Sequence, residues 1–81
     1  MKNKNNENNK TSTELLSLIV EVREAQNKGY DQFAHSYAVG TYISIIDSAL
    51  KGYYDLQEGI NLSYERHLTE LNKIKSHKVA A

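Results

Sequence analysis

Five of the six tyrosines, Tyr30, Tyr37, Tyr42, Tyr53 and Tyr54, fall between residues 30 and 54. Tyrosine suits places where a large apolar body meets a partly wet edge, which describes both protein interfaces and ligand clefts. Tyr53, Tyr54 and Tyr64 are able to stack on a base or planar ring, and Arg66 or Lys51 to meet a phosphate, so these five form the candidate ligand-binding set. The rim of an ordinary helical core accounts for the same tyrosines equally well.

Other residue types offer less chemistry. The histidines His35, His67 and His77 have no partner histidine three or four residues away, and His67 with Glu70 is a lone pair with no second to complete a metal site. No metal or cofactor is expected. Serines and threonines are abundant, yet no GxSxG element accompanies them, and Gly29, Gly40, Gly52 and Gly59 are too scattered for a phosphate loop. Asp47, the only charge between Gln32 and Leu50, falls on a polar stripe beside Lys51 rather than at an assembled acid-base pair. No catalytic residue is assigned, and the chain reads as a non-enzyme.

Composition narrows the remaining classes. Ten basic and ten acidic residues balance to zero, which argues against general nucleic-acid binding; a DNA-binding regulator is the third-ranked function. The charge is segmental: +2 over residues 1–10, −1 over 11–29, −3 over 30–59 and +2 over 60–81. Cysteine is absent, which excludes disulfides and thiol chemistry and fits a cytoplasmic protein. No apolar run is long enough to span a bilayer, and no membrane partner is expected. The asparagine-rich start and the lack of cysteine and proline are a composition met in small accessory proteins of phages and AT-rich bacteria.

The elements that must position these residues read as helices. Residues 1–10, MKNKNNENNK, have almost nothing to bury and are expected to form a disordered tail before a single domain over 11–78. Thr11-Ser12-Thr13-Glu14 fits a capping box, and Leu15, Leu18, Ile19, Val22 and Ala25 recur at helical spacing up to a stop at Gly29, so a first helix is expected over about 12–28. Asp31 suits the start of a second helix running to about residue 58, with a possible break near Gly52. Gly59 reads as a connection, and Asn61 or Ser63 as the start of a third helix to about residue 77, on which Ile60, Tyr64, His67, Leu71 and Ile74 share a face.

The expected fold is therefore all-α, an antiparallel hairpin or three-helix unit of two to three helices, completed by homo-oligomerisation because about seventy residues supply only a thin core. The second helix is apolar over more than half its circumference, so it is expected to be buried by helices on two sides, including a copy of itself. Tyr37, Tyr42, Ile45, Ile46 and Ala49 are the candidate interface residues. The leading function is a small helical interaction protein that self-associates and regulates or inhibits another macromolecule, with a protein as its partner. The alternative is an oligomeric protein that sequesters a small nucleotide-like ligand.

Overall fold

The computed structural model describes residues 9–80, with side chains through residue 76. It is a three-helix, all-α fold: α1 spans Ser12–Gln26, α2 Ala34–Leu50 and α3 Leu56–Ala80. Of the expected tail, residues 1–8 lie outside the described part. Asn9 and Lys10 are pinned to α3, because the Lys10 N–H donates to Asn61 Oδ1 at 2.9 Å and Gln57 Nε2 donates to the Lys10 carbonyl at 2.8 Å.

Each helix begins and ends for a local reason. α1 starts in a complete capping box: the Glu14 N–H donates to Thr11 Oγ1 at 3.1 Å, and the Thr11 N–H to Glu14 Oε1 at 2.9 Å. It ends in a Schellman turn, in which the Lys28 N–H bonds the Ala25 carbonyl and the Gly29 N–H bonds the Glu24 carbonyl. The left-handed residue of that turn is Lys28, with φ 61°, one position before the glycine expected to supply it.

The end of α2 repeats this turn with the residues in their favoured places. Gly52, with φ 86°, donates to the Ala49 carbonyl, and Tyr53 donates to the Ser48 carbonyl. The second helix accordingly stops at Leu50, at the break expected near Gly52, and does not continue to residue 58. Because a non-glycine residue in the left-handed region costs about 1–2 kcal/mol, offset in part by the extra unfolded-state freedom of glycine, Lys28→Gly is expected to stabilise the fold by about 0.5–1 kcal/mol. An increase in the urea midpoint at unchanged slope is the result that checks it.

The third helix starts five residues earlier than Asn61. Asp55 accepts the Glu58 N–H at 3.2 Å through its side chain and the Gly59 N–H at 2.9 Å through its carbonyl, which caps the helix at an Asp-x-x-Glu sequence. Gly59 and Asn61 are thus interior to α3. Glycine is required at 59 because the Tyr54 ring lies where a Cβ would project.

The core centres on α1. This helix packs against both α2 and α3, whereas α2 and α3 meet along a shorter contact. Leu15, Ile19, Ala38, Ile45 and Ile60 form one buried cluster, and Leu18, Val22 and Leu71 form another. Four of the core residues come from α1, while α2 buries only Ala34, Ala38 and Ile45. Within one chain α1 is the helix with neighbours on two sides, and α2 lies at the edge with one face packed and the other open.

Candidate interaction surfaces

α2 has two unlike faces. Ala34, Ala38 and Ile45 turn inward, and their small side chains allow α1 to approach closely. On the outward face Val39 is 43% exposed, Ile43 57% and Leu50 81%, with Ile46 half-buried at its edge. These four positions follow a 4-3-4 spacing, the seam pattern by which one helix pairs with another. At the C-terminal end of this helix Lys51 Nζ pairs with Asp47 Oδ2 at 3.0 Å, so the two charges neutralise each other locally.

The five expected interface residues divide between the two faces. Ile45, 8% exposed, belongs to the internal core and is not available to a partner. Tyr42 is half-buried against that core, and its hydroxyl accepts from Ser12 Oγ at 2.6 Å. Ile46 and Ala49 are half-buried, and Tyr37 is exposed. Val39, Ile43 and Leu50 share a row of helical spacing with Tyr42 and Ile46, and the position of α1 decides which edge of that row is open.

Tyr37 belongs to a junction between α1 and α2. The Arg23 guanidinium lies over its ring at 4.7 Å from the centroid and donates from Nε to Asp31 Oδ2 at 2.8 Å. Asp31 also accepts the Phe33 N–H at 2.9 Å, so it caps a turn that precedes α2 and does not begin the helix itself. The hydrogen bond from Arg23, then that from Phe33, holds the Asp31 carboxyl below its ordinary value of 3.8. A lowered carboxylate pKa stabilises the fold above the ordinary value, and that contribution is lost as pH falls through the lowered one. Melting temperature is therefore expected to drop on acidification below about pH 4, and Asp31→Asn to lower it at neutral pH while flattening this acid limb.

The candidate ligand-binding residues do not converge. Tyr64 packs on the core beneath Lys10, whose ammonium lies 4.8 Å from the ring centroid. Tyr53 is exposed in the turn after α2, and Lys51 is held by Asp47. Tyr54 and Arg66 alone come together, in a cleft of ≈ 300 Å³ between α2 and α3 that His67 also lines. His67 is thus at the cleft edge, its Nδ1 donating to the Ser63 carbonyl at 2.8 Å. Among the described residues no three histidine, aspartate or glutamate side chains gather as a metal site, and no helix is long and apolar enough to cross a membrane.

No known protein family, curated protein or solved structure matches this chain.

Proposed function

We propose that this chain is a small cytoplasmic interaction protein without catalytic activity, that it pairs with a second copy through the outward face of α2, and that the pair regulates or inhibits another protein by occupying its surface. The observation that carries the reading is the exposed row Val39, Ile43 and Leu50, continued by Ile46, on a helix whose other face is already packed. Scattered exposed apolar residues are normal, but a row at seam spacing along one helix is a contiguous patch.

A second copy suits this face for two reasons. About a two-fold axis crossing α2 between Ser44 and Ile45, Val39 of one copy meets Leu50 of the other and Ile43 meets Ile46, so the row is complementary to itself. The chain is also neutral overall, and Asp47 and Lys51 pair within the helix, so association brings no like-charge repulsion.

The test is solution mass by light scattering over a range of concentrations, on the wild type and on Ile43→Glu. A wild-type dimer that becomes a monomer of unchanged helicity on substitution is the expected result, since Ile43 does not support the internal core. A wild-type monomer at every concentration overturns the pairing. Ile45→Glu does not serve here, because it places a charge in the core and unfolds the chain whether or not it pairs.

A further inference from the structure

We propose that the cleft between α2 and α3 is a binding site for a phosphate monoester carrying a small planar group. Thr41, Ser44 and Ser48 line it from α2, and Ser63, Arg66 and His67 from α3, with the Tyr54 ring among the walls. The hydroxyls of Thr41, Ser44 and Ser48 and the Arg66 guanidinium can donate hydrogen bonds, and none of the lining residues carries a carboxylate. A cleft for a cation or an amine would need the opposite.

The charge in the cleft is uncommitted. Arg23 and Lys51 are each held by an aspartate, whereas Arg66 has no carboxylate within ion-pair distance among the described residues. Its planar, permanently charged fork matches two phosphate oxygens at once. His67 donates Nδ1–H to the Ser63 carbonyl at 2.8 Å, so in the neutral ring Nε2 is an acceptor and the phosphate falls to Arg66 and the hydroxyls.

The cleft exists because α2 and α3 both lean on α1 and touch each other over a shorter length. Thr41, Ser44 and Ser48 occupy α2 positions beside the gap, with Ile45 the one large apolar residue that α2 contributes to its lining. A volume of ≈ 300 Å³ lies at the small end of ligand pockets, larger than a phosphate alone needs. The Tyr54 ring, held by its packing against the buried cluster, supplies an apolar surface for the rest of the ligand.

The site is formed within one chain and does not rest on self-association. Its test is an amide-shift NMR titration with adenosine monophosphate, inorganic phosphate and adenosine, on the wild type and on the Ile43→Glu variant. Saturable shifts with the monophosphate, centred on Ser44, Ser48, Ser63 and Arg66 in both proteins, are expected, with a weaker response to inorganic phosphate. Arg66→Ala, at an exposed position that the fold does not need, is expected to weaken binding about tenfold or more, and Ser44→Ala to weaken it less. Absence of saturable shifts, or shifts that Arg66→Ala leaves unchanged, overturns the assignment.

Discussion

Ile19→Ala is expected to remove most of the stability of this protein. Ile19 is fully buried in α1, between the other two helices, and truncating such a residue costs about 2–5 kcal/mol through lost transfer energy and the cavity left behind. A single core of this size supplies only about 3–5 kcal/mol of net stability. The matched control is Ile43→Ala, the same change on the exposed face of α2, expected to alter monomer stability by no more than about 0.5 kcal/mol. Urea unfolding followed by circular dichroism, at a concentration where the chain is monomeric, compares the two. Equal losses would show that α1 is not the helix on which the core is built.

Gly59→Ala is expected to destabilise the fold, although a glycine inside a helix is about 1 kcal/mol worse than alanine. The reason is the Tyr54 ring, whose Cδ1 lies 2.9 Å and Cζ 3.1 Å from where the new methyl would sit. Overpacking of this kind costs about 1–3 kcal/mol, and Tyr54 cannot swing away without leaving the Ile45-centred cluster it packs against. In a Tyr54→Ala background the obstacle is gone, and the same substitution is expected to become stabilising by up to about 1 kcal/mol. The reversal of sign across the double-mutant cycle is the measured quantity; additivity would mean that the contact carries no energy.

These two residues also show which parts of the fold are legible in the sequence. The start of α1 was readable because a capping box is local: Thr11 and Glu14 satisfy each other without reference to the rest of the chain. The inward face of α3 was readable for a similar reason, and Ile60 and Leu71 are buried at the spacing that marked them. Gly59 was misread as a connection because nothing local separates a glycine that ends a helix from one that admits a neighbouring ring. Asn61 likewise has the type of an N-cap residue, but its side chain holds the Lys10 backbone and Gln57, while the Asp55-x-x-Glu58 signal upstream went unused.

The surfaces were less legible than the helices. Hydropathy marks α2 as broadly apolar, which says that much of it needs covering but not by what. Which of its sides is covered depends on where α1 lies, a long-range fact that residue types do not encode. Ile45 and Ile43 illustrate it, since they differ by two positions and share one side-chain type, yet one is core and the other faces solvent. Of the residues lining the cleft, Tyr54 and Arg66 carry a signal in the sequence, whereas a helical serine without a nearby base carries none.

The placement of α1 has a bearing on how the chain acquires its structure. The helix that needs the most enclosure comes first, and part of what encloses it, the Leu71 turn of α3 over Leu18 and Val22, comes last. The Lys10 segment likewise finds Asn61 only across a separation of 51 residues. An α1–α2 hairpin alone leaves Leu18 and Val22 without Leu71, so it has little means of persisting as a stable intermediate. The complete core of this domain therefore requires α3, and cooperative closure of its two ends is the expected folding behaviour.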